Sequence, residues 1–251
     1  MAPPVLGLKI GGGITFEGGI GVGPAAKVPL PPVLVLNLDA ANYSAMPADG
    51  STIAGTGAYP ITTLNPGGSM SWDVADGGIF RKTTPADTDF LAFGPDFSST
   101  SQPYTVMMVY RQQPATGGRL LNANSASPDW LAGLWDNSGL LQNVFYNGSF
   151  VGSPTPADGA WQFIWATYNG DVGSPVSQSY IANSTVPTTA YGTETSNGGF
   201  DGLRLFGRYL NSTISSEVVT ADTGLVKLWD GVLTLSQIQT QWATYKTRFG
   251  Y

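Results

Sequence analysis

Side chains that do chemistry are scarce in this chain, and the scarcity excludes more than it suggests. Cysteine and histidine are both absent, which rules out a Cys/His zinc site, a cysteine nucleophile and a Ser-His-Asp triad. Hydrolysis by paired carboxylates remains, one protonating a leaving oxygen while the other attacks or activates water. Glutamate occurs only at Glu17, Glu194 and Glu217, and none of them has a second carboxylate two residues on. Asp87 and Asp89 are the nearest pair at that spacing. The two acid clusters, "DVADGG" with Asp73 and Asp76 and "DTD" with Asp87 and Asp89, suit calcium better, because a hard cation takes carboxylate and loop carbonyl oxygens. Ordinary turn chemistry, in which Asp bonds its own backbone, would use the same residues.

Sugar recognition draws on aromatic faces with amides and carboxylates beside them. Trp130, Trp135, Asp136, Asn137 and Tyr146 fall near the expected strand ends and loops and form the candidate glycan-binding set. Trp161, Trp165 and Trp229 sit inside apolar strands and are expected to pack.

These residues need a scaffold, and the composition indicates its class. The chain has 251 residues, 42% hydrophobic and only 11% charged, with 33 glycines and 18 prolines. That is the profile of many short strands joined by turns, with apolar residues enough for a large core. A net charge of -6 leaves no basic face for nucleic acid or an anionic membrane. The first residues, Met-Ala-Pro-Pro-Val-Leu-Gly-Leu-Lys, carry no signal-peptide pattern, and no apolar run approaches a membrane span.

Expected strands include "VLVLNLDAANY" (residues 33–43), the pair "SMSWDV" and "GIFRKT", "YTVMMVYRQ", "GRLLNANS", "WLAGLWD", "AWQFIWATYNGD", "SQSYIANSTVP", "GLRLFGRYL" and "TGLVKLWDGVL". "LLQNVFYNGSFVG" carries Asn147-Gly148, a hairpin signal. One segment is helical: 235–249 places Ile238, Trp242, Tyr245 and Phe249 on one face, with Thr234 and Gln237 as a capping box and Gly250 as a stop. The pattern predicts an all-β fold, a two-sheet antiparallel sandwich with one C-terminal helix.

The N-terminus is different. Residues 7–24, "GLKIGGGITFEGGIGVGP", read as three hexads in which Leu8, Ile10, Ile14, Phe16, Ile20 and Val22 share one parity. An extended strand would show all six on one face. Ordering so much glycine offsets the apolar gain, so such an arm needs a surface that also pairs its backbone. Residues 1–23 are therefore expected to be an assembly arm, 24–32 a proline-rich connector and 33–251 the folded domain.

The order of the domain's pieces resembles the concanavalin A-like (laminin-G-like) jelly rolls. The resemblance rests on "LVLNLDAANY", "YTVMMVYRQ", "GAWQFIWATYNGD" and the close "FDGLRLFGR…GLVKLWDGVLTLSQIQTQWATYKTRFGY". The version ending in "YKTRFGY" is most similar to copies in structural proteins of tailed bacteriophages, including those of cyanobacteria. This implies a non-enzymatic virion protein, either a capsid decoration or a tail fibre or appendage subunit. Its arm would bind other virion proteins, and symmetric assembly would make it a homo-oligomer. Carbohydrate binding to host surface polysaccharide, as a lectin-like module, is the alternative. Some relatives of the fold are glycoside hydrolases with a Glu-x-Asp-x-x-Glu strand, a motif that this chain lacks. The resemblance implies no cofactor apart from the calcium considered above.

Deleting residues 1–31 should leave a folded domain that no longer oligomerises, and Ile14→Asp or Phe16→Asp should act nearly the same by placing a charge on the buried face. Light scattering beside circular dichroism tests this. An unchanged assembly size in the truncated protein would sink the idea.

Overall fold

The computed structural model describes residues 31–47, 70–84, 103–112, 118–123, 130–137, 140–147, 150–153, 159–168, 203–206, 209–210, 213–214 and 219–251, together with the short paired segments 15–16, 20–21, 52–53, 61–62 and 91–93. The chain divides into two compact units, Met1–Pro31 and Pro32–Tyr251.

In the first unit β1 (Thr15–Phe16) pairs antiparallel with β2 (Ile20–Gly21), and Phe16 lies opposite Ile20. The backbone thus reverses between them instead of running on as one extended arm. An extended segment must pair its N–H and C=O groups, and here the described part of that pairing comes from the next hexad. Leu8, Ile10, Ile14 and Val22 lie outside the described residues.

In the second unit one six-stranded sheet runs β13 (Phe150–Ser153), β12 (Leu140–Asn147), β11 (Trp130–Asn137), β10 (Gly118–Ala123), β15 (Leu203–Leu205), β8 (Leu91–Phe93). The other begins β14 (Gln162–Tyr168), β9 (Tyr104–Gln112), β18 (Ala221–Trp229). Two strands then share the far edge of β18: β7 (Ile79–Lys82) pairs with residues 221–223 and β3 (Leu34–Asp39) with 225–229, while β6 (Met70–Asp73) continues outward from β7. Two small pairs complete the set, β4 (Thr52–Ile53) with β5 (Ile61–Thr62) and β16 (Tyr209–Leu210) with β17 (Thr213–Ile214). Every strand pair described is antiparallel. β4 and β5 are not among the expected strands, being too short to leave a periodic trace. The expected strand "SQSYIANSTVP" lies outside the described residues.

The two large sheets share one core, in which Val106, Met108, Tyr110, Ile164, Val226 and Leu228 meet Leu120, Leu121, Leu205 and Phe206. Alternate residues of the second sheet face the other way, and they too are apolar: Met107, Val109, Phe163, Trp165, Leu225 and Trp229. This double burial is why "YTVMMVY" and "QFIWATY" read as continuous apolar runs. The outer row is covered by α1 (Leu235–Tyr245) and the 3-10 turn Lys246–Phe249, which bury Ile238, Trp242 and Phe249. Trp161, Trp165 and Trp229 all belong to this second core, as expected.

The helix starts on the expected capping box, Thr234 accepting from Gln237 N while the Gln237 side chain accepts from Thr234 N at 2.7 Å. It ends on Gly250 in the left-handed region at φ 82. Trp242 stacks on Phe163, ring centroids 4.6 Å apart. Arg248, from the 3-10 turn, donates to Asp39 Oδ1 at 2.5 Å, to the carbonyl of Asp76 at 2.8 Å and to the carbonyls of Gly78 and Gly224. Gly224 sits where β18 shifts register against β9, and a Cβ there would come within 2.5 Å of the Phe249 ring. A bulge with no side chain therefore lets the 3-10 turn lie against the strand.

A lysine lies inside the layer. Lys227 on β18 is 5% exposed and donates to the Tyr245 hydroxyl at 2.6 Å and to Gln241 at 3.1 Å. Burial pushes its pKa down. Burial pushes the tyrosines up: Tyr43 to about 12, with the Asp39 charge adding to the effect, and Tyr110, Tyr245 and Tyr251 in the same direction.

Trp242→Ala should cost about 3 to 5 kcal/mol as a large-to-small change in a packed layer. Denaturant midpoints measure it, and an unmoved midpoint would refute the helix's role as a cover. Alkali should also act. Unfolded tyrosines ionise near pH 10, whereas the folded ones hold their protons longer, so stability present below pH 10 is lost as pH rises toward about 12. Lys227 works in the opposite sense, being one group against four tyrosines. The melting midpoint should fall across that window, and Tyr43→Phe should flatten the fall; a level profile would contradict the assignment.

Candidate functional site

The outer row of the second sheet changes character at one end. On β9 the row Met107, Val109 continues to Arg111; on β7 Ile79 is followed by Arg81; on β18, past the Gly224 bulge, it reaches Asp222. Register sets these three side by side, since Asp222 lies directly opposite Arg81 on one neighbour and Arg111 on the other. Opposite charges at facing positions are the favourable cross-strand arrangement.

Distances bear this out. Arg81 donates through Nε to Asp222 Oδ1 at 2.8 Å and through Nη2 to Oδ2 at 3.3 Å, a two-point fork. Arg111 Nε donates to Asp222 Oδ2 at 2.7 Å. Asp73, at the end of β6, accepts from Arg81 Nη1 at 2.5 Å and from the Ala75 amide at 2.9 Å. Asp76 lies 3.2 Å from Arg111 Nη2. It sits at φ 50 in the 3-10 turn Ala75–Gly77, a left-handed conformation that Asp tolerates better than most residues. The Arg111 guanidinium lies 4.6 Å from the Trp161 ring centroid. The hydrogen bond to Asp222 is the main reason that Arg81 holds its proton more tightly than a free arginine.

Above this array opens a cleft of about 350 Å³ lined by Arg81, Lys82, Thr83, Arg111, Thr220, Ala221 and Asp222. Arg81 and Arg111 keep 31% and 22% of their side chains exposed, so both are within reach of a ligand. Arginine does not surrender a proton in a protein. The array sets arginine N–H donors beside carboxylate acceptors at the edge of the cleft.

The sequence candidates are distributed unevenly around this site. Asp73 and Asp76 belong to it, but each faces an arginine, which supplies the positive charge that the calcium expectation assigned to a metal. Among the described residues no three acidic side chains converge to hold a cation. Asp87 and Asp89 lie outside the described residues. Trp130, Trp135, Asp136 and Asn137 lie on β11 and Tyr146 on β12, where it registers with Leu131. The neighbouring strands of that sheet bury Arg119, Asn122 and Arg204; Arg119 donates to Asn122 Oδ1 at 2.7 Å, and Asn122 lies opposite Arg204.

Arg81, Arg111 and Asp222 escape a reading by motif, because no spacing links residues 81, 111 and 222. One local signal was available: "FRKT", "YRQ" and "TADTG" each put a charge at the end of an apolar run.

No family model matches the chain, and no curated protein matches it in sequence. Solved structures match in fold. Domain 4 of AbnA, a GH43 extracellular arabinanase from Geobacillus stearothermophilus solved with arabinotriose, is similar at 15% identity and a TM-score of 0.55, over 83% of this chain and 98% of that one. A botulinum neurotoxin type C structure, from a study of its entry through two ganglioside molecules, gives 0.59 at 11% identity, over 85% of this chain and 51% of that one. Trypanosoma rangeli sialidase with sialic acid gives 0.54 at 15% identity, over 92% of this chain. This chain spans 36% of the sialidase and about half of the neurotoxin chain. At these identities the likeness is one of fold: a mostly β chain of antiparallel sheets with a C-terminal helix.

Proposed function

We propose that this chain is a lectin-like carbohydrate-binding module on a concanavalin A-like jelly roll, binding sugar without transforming it. The observation that carries this reading is the likeness to domain 4 of the arabinanase, which extends over 98% of that domain, a unit solved with a bound arabinotriose. Two further supports are the sialidase structure, which holds sialic acid, and that of the neurotoxin, whose cell entry depends on two ganglioside molecules. The open polar cleft supplies a place for such a ligand. Binding without turnover fits a site whose carboxylates are held by arginines that do not move protons.

A virion setting draws on the resemblance of the closing motif alone, and none of the three solved structures named above is a virion protein. We propose in addition that Met1–Pro31 mediates oligomerisation, which deletion of that segment tests.

Purified full-length protein on a glycan array that includes arabinan oligosaccharides and bacterial envelope polysaccharides should retain at least one class, with dissociation constants measurable by calorimetry. It should release no reducing sugar from whatever it retains. Failure to retain any glycan overturns the reading, and turnover of a retained glycan overturns its non-catalytic half.

A further inference from the structure

We infer that Lys227 and Asn37 are the two ends of a covalent staple, an amide bond that forms between their side chains with loss of ammonia and ties β18 to β3. Lys227 stands directly opposite Asn37 in the antiparallel pairing of these strands. Both side chains belong to the covered face of the sheet. Their neighbours Leu36, Leu38, Val226 and Leu228 face the inter-sheet core, whereas Leu225 and Trp229, two places to either side of Lys227, lie in the second core under the helix.

Such a bond requires an amine that water does not hold as an ammonium, an amide carbon within its reach and a group to carry the proton. Lys227 is buried, and burial lowers its pKa while the Asp39 charge pulls the other way. Its Nζ lies 2.6 Å from the Tyr245 hydroxyl and 3.1 Å from Gln241 Oε1, on the side of the sheet that Asn37 also faces. Facing Cβ atoms of an antiparallel pair are about 4.5 to 5.5 Å apart, a gap that the flexible lysine stem spans once its last torsions turn Nζ from the helix toward the strand. Asn37 Oδ1 is shut off from solvent, so the amine competes with little water for that carbonyl.

The proton carrier is Asp39, two residues beyond Asn37 on the same strand and hence on the same face. It is buried as well, and its bonds from Arg248 Nη1 and the Ala41 amide both fall on Oδ1. Oδ2 accepts no hydrogen bond among the described residues and is left to take a proton. The neutral Lys227 amine adds to Asn37 Cγ, and the new N–C bond gives a tetrahedral adduct. A proton passes from Nζ to Asp39 Oδ2 and from there to the Asn37 amide nitrogen, whose bond to Cγ breaks as ammonia leaves. One amide replaces another, nothing is oxidised or reduced, and Asp39 ends as it began. Holding the two groups on facing positions is what makes so slow an exchange feasible.

The bond joins the first strand of Pro32–Tyr251 to its last, in a chain whose lack of cysteine forbids a disulfide. A cross-link that closes so long a loop takes more freedom from the unfolded chain than one that closes a short loop.

Intact mass spectrometry of the full chain, purified folded, is the test. The protein should weigh one ammonia less than its sequence, and a protease digest should yield a branched peptide containing residues 37 and 227. Lys227→Arg keeps the cation but has no amine to form this bond, and should restore the full mass. Asn37→Asp should react with loss of water in place of ammonia and arrive at the same final mass as the wild type, which a merely structural lysine cannot produce. A wild-type chain at its full sequence mass overturns the inference. So does an ammonia loss that survives in Lys227→Arg, because the loss then comes from an asparagine closing on its own backbone. If Lys227→Arg does not fold, the branched peptide decides.

Discussion

Strands β9, β14 and β18 are apolar on both faces, and a sheet of that kind cannot be left with one side in water. One face is covered by the partner sheet. The other needs a third layer, supplied by the helix and 3-10 turn that follow β18. Much else follows from that need. Thr105, buried on β9, accepts from the Leu233 amide and donates to the Gly231 carbonyl, which fixes the path from strand to helix. Gly224 gives up a side chain so that Phe249 can reach the strand. Lys227, on the covered face, keeps its ammonium among hydroxyl and amide oxygens of the helix.

Where the cover ends, the same rows of the sheet turn from aliphatic to charged. Arg248 stands at this border, its guanidinium bonded to Asp39 and to three backbone carbonyls from separate parts of the sheet and its turns. Its role is cohesive: a partly buried cation with every nearby acceptor engaged would leave unpaired groups if removed. Arg81 and Arg111 stand beyond it with spare donors and open space above. Among the described residues Arg248 donates four hydrogen bonds to the protein, Arg81 three and Arg111 one.

Strand identity and the helix were legible because they depend on local signals. The capping box, the glycine stop and the 238–242–249 face needed no knowledge of the rest of the chain. The two-sided burial of β9 and β14 was written in their unbroken apolar runs. The cleft was not legible, because its three central residues come from positions 81, 111 and 222 and meet only through antiparallel register. Asp73 and Asp76 stood out as acidic, but acidity alone does not say whether the counter-charge is a metal or an arginine brought from another strand.

Strand β18 comes after every other strand of its sheet and lies at its middle, paired with β9 on one side and with β3 and β7 on the other. During synthesis the earlier strands therefore emerge without the partner that joins them. The bonds that close the sheet and its cover span most of the chain: Val33 to Asp230 across 197 residues and Asp39 to Arg248 across 209. A topology of such high contact order folds slowly. Until the last strand is released from the ribosome, β9 and β14 expose aromatic surface that must be kept from other chains.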